Sequence, residues 1–175
     1  MTSSTFILHV DDDSSAQEIV AYAFQRAGDT LVVHGAPTIN KAISMLKNEA
    51  YDAVLLALMV PHEEGHPVTD CLEGLNRVRA VDSHIPIIVL TDDKEDAARC
   101  VEAGACGFLM YRDLDYSSML HSLVSAFESK LSVQQMARET SGLELLRAES
   151  ATIRLRGRIV ALKALQALEN EALHL

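Results

Sequence analysis

Residues 51–61, YDAVLLALMVP, form the stretch that decides the fold. An unbroken apolar run extends from Ala53 to Val60 and ends at Pro61, which has no N–H group with which to continue a hydrogen-bonded ladder. Continuous hydrophobicity of this kind is typical of a strand buried on both faces of a parallel sheet. Because ligand sites in open α/β sheets lie beyond the carboxyl ends of the strands, we expect residues 57–61 to border a pocket.

Four further apolar segments of strand length occur in the chain, and segments with helical spacing of apolar residues separate them. A fifth predicted helix, over residues 114–131, follows the last strand. Parallel strands need helical crossovers, so the alternation predicts an α/β fold with a doubly wound five-stranded parallel sheet and helices on both faces. The predicted strands cover residues 6–10, 31–34, 53–60, 85–90 and 108–110.

Length, composition and charge fit one packed domain with an extension. The chain has 175 residues, is 49% hydrophobic and carries a formal charge of −10, which argues against binding to nucleic acid or to an anionic membrane. Residues 1–129 contain 8 Lys/Arg and 20 Asp/Glu, whereas residues 130–175 contain 7 and 5. This shift predicts a first domain over residues 1–131 and a helical extension over residues 132–175.

Cysteine spacing and the N-terminal sequence bear on the compartment. Cys71, Cys100 and Cys106 have no paired spacing, so they are interpreted as reduced thiols. The first residues lack the basic segment and the long apolar core of a signal peptide or membrane anchor. We therefore expect a cytoplasmic protein without a membrane partner.

Four motifs together carry a resemblance to a known family. They are the acidic cluster DDD at residues 11–13, YDAVLLALMVP at 51–61, IPIIVLTDD at 85–93 and EAGACGFL at 102–109. Over residues 6–131, about three quarters of the chain, the sequence resembles the receiver domain of two-component response regulators. The resemblance implies a flavodoxin-like order of the strands.

The resemblance also implies roles for individual residues. In receivers, a carboxylate at the end of the third strand accepts a phosphoryl group, and acidic residues after the first strand help to hold Mg²⁺. Asp11 and Asp12 match the acidic pair, Thr91 the hydroxyl that binds the phosphoryl group, and Phe108 the aromatic switch residue. The plain alternative for Asp11 and Asp12 is that they cap the first helix, where negative charge is favourable.

Two positions depart from the family pattern. Ala57 stands at the phosphoacceptor position, and its methyl group cannot be a nucleophile. Tyr111 stands where the family has a lysine, and tyrosine is neutral at pH 7. Asp52 is too far away to substitute, since five extended residues span roughly 16 Å. We expect no required cofactor and at most a weak Mg²⁺ site at Asp11 and Asp12.

The sequence leaves open whether Ala57 is natural or an engineered block of phosphorylation. Tyr111 favours a natural, degenerate receiver, because an experimenter needs only one change. The first hypothesis is therefore a pseudo-receiver that regulates signalling through protein contacts without phosphorylation. The alternative is a conventional phosphoaccepting response regulator in which Ala57 replaces the acceptor aspartate.

Residues 62–66, HEEGH, formally match the HExxH zinc-protease motif. That motif works only on a helix, where both histidines share one face. Pro61 and Gly65 oppose a helix here, so we interpret the segment as a loop. The protein is expected not to be an enzyme.

The C-terminal extension is rich in helix formers and carries apolar residues at intervals of three and four. Such a stripe needs a cover, which could be the receiver itself or a second copy of the chain. We favour a homodimer or coiled coil through these helices, with a sensor kinase or output protein as the signalling partner. The stripe consists of Leu155, Ile159, Leu162, Leu165 and Leu168.

Basic residues in the same extension form a local cluster, Arg154, Arg156, Arg158 and Lys163. The usual explanation is a solvated helix face, and docking onto the acidic receiver of a partner subunit is a second possibility. The extension shows no helix-turn-helix pattern and no aromatic platform, so a nucleic-acid partner is not expected.

Overall fold

The computed structural model describes residues 4–25, 28–66, 71–140 and 145–172. Five parallel strands form one sheet in the order β2-β1-β3-β4-β5, which is the flavodoxin-like order. The strands are β1 Thr5–Val10, β2 Leu31–Ala36, β3 Ala53–Ala57, β4 Ile87–Thr91 and β5 Gly107–Met110. The helices are α1 Ser14–Gln25, α2 Ile39–Asn48, α3 Cys71–Val81, α4 Lys94–Glu102, α5 Tyr116–Thr140 and α6 Leu145–Ala172, and 3-10 turns occur at Gly28–Thr30 and Tyr111–Asp113. The predicted fold class is confirmed.

The central strand β3 lies between β1 and β4, and all five of its residues are buried. Successive side chains of a strand point to opposite faces. Ala53 and Leu55 accordingly join the hydrophobic cluster on one side of the sheet, while Val54 and Leu56 join the cluster on the other. Both faces are covered, which is why the sequence of this strand is continuously apolar rather than alternating.

The strand is shorter than its apolar run. Pairing with β4 ends at Ala57, and residues 58–60 form the start of the following turn. Leu58 and Val60 are nevertheless 6% and 3% exposed. The predicted strand was therefore too long, because hydrophobicity reports burial and the turn is buried as well.

The last two helices pack on each other, and α6 also reaches the core of the receiver-like part. The predicted end of the fifth helix at Leu131 was wrong, because α5 continues to Thr140. The proposed division between residues 131 and 132 therefore falls inside a helix. Leu155 and Ile159 are buried, Leu162 is fully buried, and all three belong to the same cluster as the α5 side chains.

The apolar stripe of the extension is thus covered within the chain, rather than left for a second copy as we favoured. Leu165 packs against the cluster, but Leu168 is 62% exposed. Successive residues of an α-helix are rotated by about 100° around its axis. A step of three residues therefore falls about 60° short of a full turn, so apolar residues spaced by three drift around the helix. Leu168 consequently lies on the far side of α6 from Leu155.

Candidate functional site

The carboxyl ends of β1, β3 and β4 meet at one edge of the sheet and bring the predicted site residues together. Val10 is paired with Leu56, and Ala57 is paired with Leu90. Asp11 and Asp12 directly follow β1, while Ala57 and Thr91 end their own strands. Parallel register therefore places Asp11, Ala57 and Thr91 on neighbouring positions of this edge.

Tyr111 closes this edge with a long-range hydrogen bond. Its hydroxyl donates to Oδ2 of Asp11 at 2.8 Å. The other carboxylate oxygen of Asp11 accepts from the N–H of Asp13 at 2.9 Å, and Nε2 of the fully buried His9 lies 3.5 Å from Oδ2. Asp11 is only 2% exposed, so its carboxylate is held by protein groups in place of water.

These contacts shift the protonation equilibria of both partners. Burial raises the pKa of Asp11, but His9, the Asp13 N–H and the Tyr111 hydroxyl together outweigh burial and hold that pKa below its ordinary value. Burial and the hydrogen bond to Asp11 raise the pKa of Tyr111. Near neutral pH the pair therefore consists of a carboxylate and a neutral phenol.

The two residues predicted as switch equivalents differ in position: Thr91 ends β4 at this edge, whereas Phe108 pairs with Val89 two residues before the edge. Thr91 is buried, and its hydroxyl accepts from the N–H of Asp93 at 3.0 Å. Asp93 caps α4, since its Oδ1 accepts from the N–H groups of Glu95 and Asp96. Phe108 is 42% exposed. The threonine hydroxyl is engaged locally, and the aromatic ring faces outward.

Comparison with known proteins identifies the family and the fold. The family model described as the response regulator receiver domain matches residues 7–112, more than half of the chain. The chain belongs to the response regulator receiver family. A receiver domain implies a role in signal transduction.

Solved structures share the fold of this receiver. One is a protein of Chloroflexus aurantiacus assigned as a response regulator, with 23% identity, coverage of 71% of this chain and 98% of its own, and a TM-score of 0.61. Another is a CheY-like receiver domain protein of Methanospirillum hungatei, with 20% identity, coverage of 73% and 99%, and a TM-score of 0.56. Both match the receiver but leave about a quarter of this chain uncovered.

Curated relatives are longer than this chain. A Pseudomonas aeruginosa protein named as a transcriptional regulator is 28% identical over 109 residues, which are 61% of this chain and 49% of that protein. A protein-glutamate methylesterase/protein-glutamine glutaminase of Treponema pallidum is 27% identical over 112 residues, 62% of this chain and 26% of that protein. The chain thus spans about half the first relative and about a quarter of the second.

Within the described residues, no helix has the length and hydrophobicity needed to cross a membrane.

Ala57, which the sequence pattern predicts at the phosphoacceptor position, is 4% exposed at the end of β3. An alanine side chain offers no lone pair for attack on phosphorus. The nearest aspartate of the same strand segment, Asp52, precedes β3 at the opposite edge of the sheet, where it accepts from the N–H of Phe6 at 2.9 Å. The sheet separates the two positions, so Asp52 cannot replace the missing carboxylate.

The donor set does not fit the Mg²⁺ site that the family implies. Mg²⁺ prefers octahedral oxygen coordination with carboxylate ligands. Ala57 supplies no oxygen, and both oxygens of Asp11 already accept hydrogen bonds, from Asp13 and Tyr111. In the described part of the chain, no group of three or more His, Cys, Asp or Glu side chains could hold a metal ion.

Neither Asp11 nor Asp12 is the helix cap that the plain alternative suggested. Asp13 has that position, because its Oδ1 accepts from the N–H of Ser15 at 2.8 Å and its carbonyl accepts the first helical N–H, from Gln17. Asp12 is exposed at this edge. The acidic cluster therefore divides into one buried acceptor, one exposed charge and one cap.

The HEEGH segment forms bends and turns rather than a helix, as interpreted. His62 lies 3.2 Å from Oε2 of Glu73, its Nδ1 contacts Arg77, and Arg77 donates to Asn40 at 2.6 Å. These contacts attach the loop after β3 to α2 and α3. The segment thus has a structural explanation in this receiver.

Sequence reasoning missed a second polar cluster at the amino-terminal edge of the sheet. Nη2 of Arg158 on α6 lies 2.7 Å from Oδ1 of Asp52, and both side chains are about 15% exposed. The sequence pattern favours a solvated helix face for Arg158, whereas the structure turns this side chain towards Asp52. The only signal in the sequence was the position of Arg158 next to the buried Ile159, which by itself does not name a partner.

Proposed function

We propose that this chain is a signalling regulator whose receiver cannot form an aspartyl phosphate and acts through protein contacts. The observation that carries the proposal is the hydrogen bond between Tyr111 and Asp11, with Ala57 buried at the neighbouring strand end. A phosphoryl group needs a nucleophile, a cation to balance its charge and a metal ion. The pocket offers none of the three in a usable form.

Tyr111 takes over one function of a cation without its charge. A lysine at this position would attract both the buried carboxylate and an incoming phosphoryl group. The phenol instead satisfies Asp11 by hydrogen bonding and brings no positive charge to an edge that also holds Asp12 and Asp92. The neutral phenol stabilises the pocket without a phosphoryl group. It offers no positive charge to balance the two negative charges that a phosphoryl group would bring.

A receiver without a phosphoryl switch needs another source of control. A ligand or partner shifts a conformational equilibrium only if it binds the two states with different affinity. We therefore infer that a protein partner, such as a sensor kinase or an output protein, reads a single receiver state. The curated relatives' own activities, transcriptional regulation and methylester hydrolysis, belong to longer proteins and are not proposed for this chain.

We also propose homodimerisation through the C-terminal helices, but through the outer face of α6. The inner stripe packs within the chain, so a second copy would use the outer side of α6. Ile153, Val160 and Leu168 are 70%, 68% and 62% exposed there, and their spacing of seven and eight residues keeps them on one side. Exposed apolar side chains aligned in this way favour helix pairing.

The test of the proposed function is phosphoryl uptake from acetyl phosphate with Mg²⁺, followed by intact-protein mass spectrometry. We expect no uptake by the chain or by Ala57→Asp, because Ala57→Asp restores the nucleophile but not the cation. Uptake is expected only in the double variant Ala57→Asp with Tyr111→Lys. Ala57→Asn is the matched control, since it has the size of aspartate but no nucleophilic carboxylate.

Phosphorylation of Ala57→Asp alone would support the alternative, a conventional response regulator whose acceptor was replaced. Phosphorylation of the unmodified chain at another residue would contradict both hypotheses. Circular dichroism of each variant separates failure to react from failure to fold.

A further inference from the structure

A cavity of about 360 Å³ lies at the amino-terminal edge of the sheet, opposite the degenerate pocket. It is bordered by β1, the residues before β3, and both C-terminal helices. Its volume is within the range of small-molecule sites in proteins. The side chains that matter for its chemistry are Phe6, Asp52, Lys130, Gln134, Arg154 and Arg158.

The charge in this cavity is opposite to that of the protein. Lys130, Arg154 and Arg158 line the cavity together with one carboxylate, that of Asp52, and the carboxylate of Asp82 also attracts Lys130. The three cations thus outnumber these two carboxylates in a chain whose net charge is −10. Like charges are brought together in a folded protein at a cost in free energy. An anionic ligand would relieve this repulsion around the cavity.

Two of these cations lack full partners among the described residues. Lys130 is half-buried and forms no ion pair within the described part of the chain. Arg158 gives its Nη2 to Asp52, but its buried Nε has no hydrogen-bond partner in that same part. Buried donors are normally satisfied, so these two groups point to an acceptor that a ligand would supply.

The cavity also contains a flat apolar surface. The Phe6 ring is 37% exposed and borders the cavity, with its centroid 6.1 Å from that of the His34 ring. Aromatic rings stack on flat organic groups. A ligand that combines a dianion with a small organic portion would contact both features at once.

We propose that this cavity binds a small phosphate monoester, with the phosphate on Lys130, Arg154 and Arg158 and the organic portion against Phe6. A monoester carries about −1.5 to −2 charges at pH 7, which the three cations of the cavity can bind. Guanidinium groups bind phosphate oxygens through paired, charge-assisted hydrogen bonds. The site is separate from the phosphoacceptor edge and does not depend on whether Ala57→Asp can be phosphorylated.

Isothermal titration calorimetry with phenyl phosphate as the probe tests this proposal on the full chain. We expect saturable one-to-one binding that is weakened about tenfold or more in Arg154→Gln, because a charge-assisted hydrogen bond is lost. Arg156→Gln is the matched control: it removes an arginine two residues away that is also exposed but does not line the cavity. Lys130→Met is expected to weaken binding further.

Arg154 is exposed, so its variant should fold, and thermal unfolding of each variant verifies this. Equal loss of binding in Arg154→Gln and Arg156→Gln would overturn the proposal, because general surface charge would then explain the affinity. Absence of saturation up to about 10 mM phenyl phosphate would overturn it as well. Equal affinity for inorganic phosphate and phenyl phosphate would overturn the assignment to a monoester.

Discussion

The hydroxyl of Tyr111 lies 2.8 Å from Oδ2 of Asp11, a residue one hundred positions earlier in the chain. The contact joins the end of β5 to the end of β1 across the edge where receivers carry out phosphoryl chemistry. Together with His9 and the Asp13 N–H, it holds the pKa of a nearly fully buried carboxylate below its ordinary value. The carboxylate oxygens of Asp11 are therefore both satisfied by groups of the chain itself.

Replacing Tyr111 by phenylalanine should destabilise the chain by about 1–3 kcal/mol at pH 7, because a hydrogen bond to a buried carboxylate is lost. The pKa of Asp11 is lowered in the folded chain, so its stabilising contribution is present above the unfolded pKa and is lost as pH falls through the folded value. The loss of folding stability in Tyr111→Phe should accordingly become smaller at acidic pH. Urea unfolding measured near pH 7 and near pH 3 checks this.

A deficit that stays constant across that pH range would mean that the hydroxyl acts through packing rather than through Asp11. Tyr22→Phe is the matched control, because Tyr22 is 74% exposed and should tolerate the same change.

Ala57→Asp should destabilise the chain at neutral pH by about 1–3 kcal/mol, since it buries a third carboxylate beside Asp11 and Asp12. Burial and like charge raise the folded pKa of the new carboxyl above its unfolded value of about 3.9. The loss of folding stability in Ala57→Asp should thus be small below that pH and grow as the pH rises through the raised pKa. Chemical denaturation over pH, with Ala57→Asn as the uncharged control, measures it.

The ion pair between Arg158 and Asp52 should attach α6 to the receiver. Both side chains are mostly buried, so we expect a coupling energy of about 1–3 kcal/mol in a double-mutant cycle with Arg158→Met and Asp52→Asn. Burial holds the pKa of Asp52 above its ordinary value, in spite of the Phe6 N–H and Arg158. The coupling should therefore disappear as pH falls through that raised pKa, because the pair needs an ionised Asp52. A coupling near zero at pH 7 would contradict the docking role.

Truncation to alanine should change the folding stability very differently at two leucines of α6. Leu162 is fully buried, so Leu162→Ala should cost about 2–5 kcal/mol through lost contacts and a residual cavity. Leu168 is 62% exposed, and Leu168→Ala should change the stability by less than about 0.5 kcal/mol. Equilibrium unfolding of the two variants compares them directly. Similar costs would show that α6 does not pack as described.

Multi-angle light scattering after size-exclusion chromatography tests the outer face of α6. If the chain dimerises there, Ile153→Glu combined with Val160→Glu should yield a monomer without loss of folded structure, since both side chains are exposed. Glu replaces two aligned apolar contacts by like charges. A dimer that survives this double change would place the interface elsewhere, and a monomeric unmodified chain would rule out a stable dimer at the measured concentration.

Sequence alone determined the architecture and the identity of the side chains at the strand ends. The continuous apolar run of β3, the acidic residues after β1 and the polar ends of the strands follow from local periodicity, which is encoded within a few residues. The parallel sheet then brings Asp11, Ala57 and Thr91 to one edge. The absence of a nucleophile at Ala57 needed no coordinates, because the identity of the side chain decides it.

Tertiary structure alone decided the partners of the polar groups and the cover of the last helix. That Tyr111 binds Asp11, that Arg158 turns inward to Asp52, and that Leu162 is buried while Leu168 is exposed depend on contacts between segments far apart in sequence. A helical pattern reports which residues could share a face, but the rotation and position of α6 against α5 select the side chains that are buried. Those quantities are set by packing across the whole domain, and for this reason local periodicity did not reveal them.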